Sequence, residues 1–536
     1  MSPLTLALVV CATAATVAIM AVRSRYLLHM FQLEEYDPRR FMRWTFSHCQ
    51  RLLANVLLDV LAALGILFLA LQGPLRIGVT PFYAVAGIMG CAVLVLELRL
   101  ARRNPIKKAF VATARAKRLL ACTLVLMGIA FAGIAVRSWS LALSVSWLLV
   151  LLAPFVVVAA NVVMMPVQLS ERRWYLNDAR RVLQGVKPVI VGVTGSYGKT
   201  STKVFLEHLL AGRLNTLATP ESYNTVLGIC RVIRDQLRPE HQVFIVELAE
   251  NEAGGYAGLL GLVPCDLSIV TAVGVQHLEE FGTEENIRAV IGDFVRMEQS
   301  GQTMILNNDD AFLQSLTEIP GKRLVRVGTV GNGEPSVRAA NVQATSEGLA
   351  FDLETPDGSR FPCKTAILGR HNVQNILLAA TAAHELGLTW EPIVQAIATL
   401  QAPQHRLQLM PGAPGVRIID DAFNANPAGF ATAMEVLKSF PPRRILVTPG
   451  LVSLGPVEEE ENYRAGKRAG EVCDIVVLVG PKQTRALHKG LQAAGFPESG
   501  ITTVGSLAEV TGLLRTMVKP GDTVLFENDL PDTYNE

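Results

Sequence analysis

Residues 194–201 read TGSYGKTS and bring two glycines, a lysine and several hydroxyl side chains into one short segment. A β-branched run at 189–193 precedes this segment, and an amphipathic stretch at 203–210 follows it. Strand, glycine turn and helix in this order can cradle a phosphate, because glycines let the backbone approach the anion and amides at the helix N-terminus face it. The pattern predicts an ATP site whose cofactor-binding residues here are Gly195, Ser196, Gly198, Lys199, Thr200 and Ser201.

Seven more polar motifs follow along the chain. They are 221–228 (ESYNTVLG), 244–251 (FIVELAEN), 271–282 (TAVGVQHLEEFG), 306–310 (LNNDD), 368–375 (LGRHNVQN), 404–407 (QHRL) and 420–427 (DDAFNANP). Together with TGSYGKTS, and in this order, they resemble the signature motifs of the Mur ligase family. The last loop, taken with Asn224, is most similar to the family member that adds D-alanyl-D-alanine to the cell-wall peptide stem.

The resemblance implies a chemistry and a set of site residues. Mur ligases use ATP and Mg²⁺ to activate a carboxylate as an acyl phosphate, which an amine then attacks. By resemblance the metal ligands are Thr200, Glu247 and His277, and the catalytic residues are Lys199, His277 and Asp421. Further nucleotide contacts are expected from Asn372, Asn375, Arg406 and Asp421, and substrate contacts from Asn224, Thr225, Asn424 and Asn426.

One position departs from the family pattern. Counting from His277, the carbamylated lysine that helps hold the second metal in the family falls on Ile291. Isoleucine cannot ligate a metal. Either the second ion is held differently, with Asp293 or Glu280 nearby, or the enzyme uses one well-held ion, or its catalysis is impaired.

Strands alternate with helical stretches from about residue 187 onwards, which is typical of α/β domains. We expect a central ATP-binding domain of the P-loop type over 186–402 and a smaller Rossmann-like C-terminal domain over 403–536. In the latter, 474–479 and 522–526 are predicted to be parallel strands.

The first third of the chain has a different composition. Hydrophobic residues make up 50% of the sequence and the mean hydropathy is +0.33, because apolar residues are concentrated before about residue 166. A helix needs about 20 apolar residues to cross a bilayer. The sequence therefore predicts a membrane region over 1–170 with about five spans, at 3–22, 52–72, 79–98, 119–136 and 141–165.

Basic residues indicate how these spans are oriented. Arginines and lysines cluster in the loops 23–51 and 99–118, whereas the loops around 73–76 and 137–140 hold one arginine each. Because loops on the cytoplasmic side are enriched in basic residues, we expect the N-terminus outside and everything after about residue 170 in the cytoplasm. This predicts an integral protein of the inner (cytoplasmic) membrane.

Charge and cysteine content exclude other classes. The net charge of +2 gives no field that would favour nucleic acid as a partner. The eight cysteines are scattered singly, without a paired metal-ligand spacing, and are expected to be reduced core or membrane residues.

The leading hypothesis is a membrane-anchored, ATP-dependent ligase that adds D-alanyl-D-alanine, or a related amine, to a peptidoglycan precursor peptide. The membrane region stands where soluble family members have a domain for the uridine diphosphate of the substrate, so the acceptor could be lipid-linked. One alternative is another membrane-bound amide ligase, of the poly-γ-glutamate or capsule type. A second is an ATP-binding membrane protein without catalysis, which Ile291 motivates. An ATP-driven transporter is disfavoured because the spans carry few charges.

Overall fold

The structure is a computed structural model that divides into two compact units, one up to Arg172 and the other from Arg173 to Pro531. It describes residues 2–47, 79–103, 110–136, 139–220, 223–249, 254–274, 283–297, 303–329, 335–423, 425–452 and 454–529.

The first unit is helical wherever the structure describes regular elements in it. Two helix starts are fixed by hydroxyl caps: Ser2 accepts from the Thr5 amide, and Thr113 accepts from the Ala116 amide. The helices are α1 (Pro3–Leu33), α2 (Pro38–Ser47), α3 (Val79–Arg103), α4 (Ala114–Ala135), α5 (Trp139–Leu151) and α6 (Ala153–Val186), the last of which continues into the second unit.

Small residues bring α1 and α3 close together. The Thr5 and Thr80 hydroxyls lie 2.9 Å apart, and a Cβ placed on Gly90 would lie 3.0 Å from that of Ala15. Both pairs are separated by the same sequence distance, so the two helices run parallel. Close approach at glycine and alanine is the usual packing of apolar helices in a membrane.

Three of the described helices are long and apolar enough to cross a membrane: α1, α4 and α6. The predicted span at 79–98 falls within α3, and the one at 52–72 lies outside the described residues. The predicted span at 141–165 is divided, because α5 ends at Leu151 and α6 begins at Ala153. Pro154 stands in the first turn of α6, where the missing amide of proline costs least.

The second unit is built on two sheets, of which the larger has nine strands in the order β2-β3-β1-β4-β5-β6-β7-β8-β9. Strands β1 to β7 pair in parallel, and β7, β8 and β9 form an antiparallel meander. The strands are β1 (Val189–Thr194), β2 (Thr216–Ala218), β3 (Val243–Glu247), β4 (Leu267–Val270), β5 (Thr303–Asn307), β6 (Arg323–Thr329), β7 (Val337–Thr345), β8 (Gly348–Glu354) and β9 (Arg360–Thr365).

Helices cover this sheet because its strands are apolar on both faces, as buried parallel strands usually are. One core cluster includes Phe205 and Ile376, and the other includes Ile233 and Phe294. The helices are α7 (Lys199–Leu210), α8 (Val226–Gln236), α9 (Tyr256–Leu260), α10 (Glu284–Met297), α11 (Ala311–Ser315), α12 (Asn372–Glu385) and α13 (Trp390–Ile397).

The smaller sheet has six strands in the order β10-β11-β15-β12-β13-β14, with only β10 antiparallel to its neighbour. Its strands are β10 (Gln408–Pro411), β11 (Arg417–Asp421), β12 (Arg444–Thr448), β13 (Ile475–Val479), β14 (Ile501–Val504) and β15 (Thr523–Glu527). Its helices are α14 (Pro427–Lys438), α15 (Glu458–Val472), α16 (Arg485–Ala493) and α17 (Leu507–Met517), with short 3₁₀ turns at Gly455–Val457 and Glu498–Gly500.

The strand order sets the position of the site. In the larger sheet β1 lies between β3 and β4. The chain therefore adds β2 and β3 on one side of β1 and then crosses over to add β4 on the other side. Ligands of such sheets bind outside the carboxyl ends of the strands where the order reverses. The residues that directly follow β1, β3 and β4 lie at this edge.

Candidate functional site

The loop between β1 and α7 depends on two glycines. Gly195 has φ +134° and Gly198 has φ +80°, both in the region that L side chains rarely adopt. A Cβ at Gly195 would come within 2.3 Å of the Thr271 hydroxyl, and one at Gly198 within 2.3 Å of the Asn375 side-chain oxygen. Backbone approaches this close have no room for a side chain, so the glycines permit the turn that leads into α7.

Lys199 is the first residue of α7, four residues before the predicted helical stretch. Its ammonium donates to the carbonyls of Gly195 (2.6 Å) and Ser196 (3.0 Å). Burial lowers the pKa of Lys199 to about 8, although Glu247 acts in the opposite direction. The lysine therefore places a positive charge on the loop, at the helix N-terminus.

The loop after β4 supports the glycine loop from the other side. The Gly274 amide donates to the Ser196 hydroxyl at 3.1 Å, and the Val273 amide donates to Asp310 at 2.7 Å. Asp310 also caps α11 through its other carboxyl oxygen. The LNNDD motif thus fixes the strand ends that surround the loop.

Glu247 collects several donors at the end of β3. Its side chain is 2% exposed. It accepts hydrogen bonds from the Thr200 hydroxyl at 3.0 Å and from the side-chain amide of Asn224 at 3.2 Å. The Lys203 ammonium donates to the same carboxylate at 3.1 Å. The structure thus brings together Thr200, Glu247 and Asn224, which the sequence analysis took from three separate motifs.

Lys203 is the residue that the sequence analysis missed. It was assigned to an amphipathic helix, yet its side chain is only 2% exposed. A signal was present, because Lys203 lies among residues of α7 such as Phe205 and Leu206 that the apolar pattern places inside. A lysine on the buried face of a helix requires an acidic partner.

Asn372 and Asn375 are buried at the start of α12. Asn372 donates to the Leu368 carbonyl at 2.8 Å, and Asn375 donates to the Asn372 side-chain oxygen at 2.9 Å. The Asn375 oxygen in turn lies beside Gly198 and 3.4 Å from the Thr202 hydroxyl. Both side chains support the glycine loop, and their predicted contact with the nucleotide stays a prediction.

Arg406 and Asp421 lie together in the second sheet region. The Arg406 guanidinium lies 4.5 Å from the centre of the Phe423 ring, a cation–π contact, and burial lowers the pKa of Arg406. Asp421, the last residue of β11, accepts from the Leu407 amide at 3.0 Å. Charge interactions link Arg406 to Asp421 and also to Glu247, so the two regions share one electrostatic environment.

The remaining predicted residues divide into three groups. Thr225 and Asn426 are helix caps, accepting from the Gly228 amide (3.3 Å) and the Gly429 amide (2.9 Å) respectively. Ser201 lies in the first turn of α7, and its predicted contact with the cofactor stays a prediction. His277, Glu280 and Asn424 lie outside the described residues, so their predicted roles stay predictions.

Ile291 is a core residue. It is 4% exposed in α10, within the apolar cluster that also holds Val290 and Phe294. Asp293, which could have replaced the missing lysine, pairs instead with Arg296 at 2.6 Å. Within the described residues, no group of three histidine, cysteine or acidic side chains is arranged to hold a metal ion.

This fold and this site are those of an ATP-dependent ligase. The chain belongs to the Mur ligase family: residues 193–383 match the Mur ligase middle domain, and residues 405–527 match the Mur ligase glutamate ligase domain.

Sequence relatives agree with this assignment. The chain is 30% identical to the UDP-N-acetylmuramoyl-tripeptide–D-alanyl-D-alanine ligase of Mycobacterium tuberculosis over 357 residues, which cover 63% of this chain and 69% of that one. It is also 30% identical to the ligase of the same name from Escherichia coli over 307 residues, with 57% and 67% covered.

Solved structures agree as well. MurF from Acinetobacter baumannii matches with a TM-score of 0.61 and 26% identity, over 68% of this chain and 78% of that one. MurF ligase from Thermotoga maritima in complex with ADP matches with a TM-score of 0.59 and 25% identity, over 68% and 81%. Both matches leave about a third of this chain uncovered.

Proposed function

We propose that this chain is a membrane-anchored ligase that uses MgATP to activate a carboxylate of a peptidoglycan precursor peptide and joins it to D-alanyl-D-alanine or a related amine. The observation that carries this proposal is the convergence of Thr200, Lys203 and Asn224 on the buried Glu247, directly beside the glycine loop. Membership of the Mur ligase family supports the reaction type, and the names of the relatives support the substrate class.

The glycine loop would hold the ATP phosphates. Helix α7 begins at Lys199, directly after the loop; the first amides of a helix have no partner within it, and Lys199 adds a charge there. The chemical obstacle is electrostatic, since an anionic carboxylate must approach an anionic γ-phosphate. Lys199, together with Arg406 from the second sheet region, would reduce that repulsion and favour an acyl phosphate.

The residues present fit a magnesium ion. The Thr200 hydroxyl and the Glu247 carboxylate lie 3.0 Å apart, and oxygen donors of this kind, completed by phosphate oxygens and water, suit Mg²⁺. When bound, the ion would neutralise charge on the phosphates. Because Ile291 is a core residue, we propose that this chain works with one well-held ion.

The second half of the reaction needs an amine beside the activated carboxylate. The loop 420–427 and Asn224 are the proposed contacts for the two substrates, with Asn224 already oriented by Glu247. Arg406 and Asp421 would contact the phosphates and the ribose. Exclusion of water would protect the acyl phosphate from hydrolysis.

The helical unit is proposed to lie in the inner membrane, with the catalytic unit in the cytoplasm. Large apolar side chains are exposed on its long helices, among them Val125 (57%), Ile129 (65%) and Val162 (56%), as expected of surfaces that face lipid. The parallel course of α1 and α3 agrees with the predicted topology, in which the first and third spans cross in the same direction. The basic loops provide the orientation.

Phosphate release by the detergent-purified full chain tests the proposal. The assay supplies ATP, Mg²⁺, D-alanyl-D-alanine and a muramoyl tripeptide that is either nucleotide-linked or lipid-linked. We expect release that needs both substrates and falls at least 100-fold in Lys199→Ala, since charge stabilisation by one such group is worth about 10²–10³-fold. Lys364→Ala, at an exposed position of β9, is the matched control and should keep wild-type release.

The two acceptors test what the helical unit is for. Faster release with the lipid-linked tripeptide would support a lipid-linked acceptor, and use of the soluble one alone would reject it. Release with neither acceptor would favour a ligase of the poly-γ-glutamate or capsule type. Binding of ATP without release under any condition would favour the non-catalytic alternative.

A further inference from the structure

Asp421 and Glu527 end two neighbouring parallel strands and are paired in register. Residues paired in this way point to the same face of a sheet. Asp421 is partly exposed, whereas Glu527 beside it is 1% exposed. The sheet therefore places a second carboxyl group directly against a residue proposed to contact the nucleotide.

Among the described residues, the charges that act on this pair are mostly negative. Arg406 is the cation that acts on Asp421, whereas the nearby Asp420 adds negative charge and binds His405 at 2.7 Å. Asp421 is the charged group that acts on Glu527. Two ionised carboxylates at this position would repel each other in a buried environment.

Hydrogen bonding indicates how the repulsion is avoided. The Glu527 Oε2 atom is buried and accepts no hydrogen bond from a described donor, and the strand register sets the Asp421 carboxyl group next to that of Glu527, where the two can form a hydrogen bond. Such a bond between two carboxyl groups needs a proton on one of them. Burial raises the pKa of both groups, most strongly that of Glu527, which agrees with a retained proton.

We propose that Glu527 is a positioning residue of the ligase, which holds Asp421 in place through one proton that the two carboxyl groups share. Asp421 is then held by Glu527 as well as by the Leu407 amide, which donates to its Oδ1 atom. This inference rests on the proposed contact of Asp421 with the nucleotide.

The shared proton also limits the charge near Arg406. With one proton, the pair carries one negative charge rather than two. Arg406, next to Leu407, is then balanced by a single charge in the pair and can still attract phosphate. A second full negative charge on the pair of Asp421 and Glu527 would oppose binding of the anionic nucleotide.

Asn528, the residue after Glu527, ties the end of β15 to neighbouring loops. Asn528 donates from its side chain to the Gly450 carbonyl at 2.6 Å and accepts from the Ala425 amide at 3.3 Å. Its own amide donates to the Asp421 carbonyl at 3.2 Å. The end of β15 is therefore joined to the loops after β11 and β12, which keeps Glu527 from moving away from Asp421.

Two substitutions of similar volume test the proposal. Glu527→Gln keeps a donor that can reach Asp421, whereas Glu527→Met removes it. We expect Glu527→Gln to bind MgATP within about twofold of wild type and Glu527→Met to bind about tenfold more weakly, since a hydrogen bond to a charged group is lost. Binding is measured by calorimetry on the detergent-purified full chain, and Glu498→Met, at a side chain that is 63% exposed, is the control.

The outcomes separate positioning from simple packing. If Glu527 only fills space, Glu527→Met will bind MgATP like wild type, and the proposal is wrong. If Glu527→Gln binds as weakly as Glu527→Met, an ionised Glu527 is required, and the shared proton is rejected.

Infrared difference spectroscopy gives a readout that does not depend on folding of Glu527→Met or on ligase activity. We expect the C=O stretch of a protonated carboxyl group at neutral pH in wild type and its loss in Glu527→Gln. Absence of that band in wild type overturns the proposal. If wild type shows the band but binds no MgATP, the proposed function fails while the shared proton stands.

Discussion

Two glutamates occupy matching places in the two sheets of the α/β unit. Glu247 is the last residue of β3 and Glu527 the last residue of β15, and they are 2% and 1% exposed. Glu247 accepts hydrogen bonds from an ammonium, a hydroxyl and a side-chain amide, whereas Glu527 lies next to another carboxyl group. Two carboxyl groups that are equally buried at strand ends therefore have different interactions, because the neighbouring elements surround them with different residues.

The largest expected effect comes from removing the cation at Glu247. Lys203→Met leaves a buried carboxylate without its ion pair, so we expect the free energy of unfolding to fall by about 3–5 kcal/mol. Hydrogen exchange of peptides from the nine-stranded sheet measures this loss in the full chain. Lys364→Met, at an exposed position, should change it little, and a Lys203→Met variant as stable as wild type would contradict the contrast between the sheets.

The same substitution at both glutamates compares the sites directly. Glu247→Gln removes the charge that balances Lys203, and we expect it to cost about 2–3 kcal/mol and to raise the Mg²⁺ concentration needed for ATP use. Glu527→Gln should show neither effect. Denaturant unfolding and Mg²⁺ titration check this, and equal losses in the two variants would remove the distinction.

A smaller effect is expected at Thr200. Thr200→Val removes the hydrogen bond to Glu247 and a proposed metal ligand, at a cost of about 1.5 kcal/mol in stability and roughly a tenfold loss in MgATP affinity. Thr200→Ser keeps the hydroxyl and should restore most of the affinity. Calorimetric titration with MgATP distinguishes them, and equal affinities would exclude a role for the hydroxyl.

The smallest effect concerns pH. The pKa of Glu527 is raised above its ordinary value of 4.5, so its proton stabilises the folded state fully below that value, and the contribution is lost as the pH rises through the folded pKa. Glutamine has no such dependence. We expect Glu527→Gln to gain stability relative to wild type as the pH rises above 4.5, by at most about 1.4 kcal/mol per pH unit. Unfolding curves that stay parallel would contradict the retained proton.

The strand, glycine turn and helix around Lys199 could be predicted from the sequence because their signals are local. The strand, glycine turn and helix at 189–210 are adjacent in sequence, and the structure has β1, the loop and α7 there. The helix begins at Lys199, earlier than the apolar pattern indicated. The pattern misses the first turn because the residues there are polar. The Mur ligase motifs added Glu247 and Asn224, which the fold brings to the same loop.

The acidic pair could not be predicted from the sequence. The strand near 522 was expected to end at residue 526, whereas β15 continues to Glu527. Its pairing with Asp421 depends on which strands become neighbours and in what register, and parallel strands are joined by long crossovers that leave no local trace. Lys203 was missed for a related reason, since its partner lies 44 residues further along the chain.

The course of α6 decides where the enzyme can be cut for work in solution. Ala179 and Leu183 on this helix belong to the core of the α/β unit, and Asp178 binds Arg234 at 2.5 Å. A shortened chain that starts at Lys187, where the first strand suggests a natural beginning, would strip these residues away and expose the apolar side of α8. Production of a soluble fragment should therefore start at Arg173, so that the last turns of an otherwise apolar helix are kept.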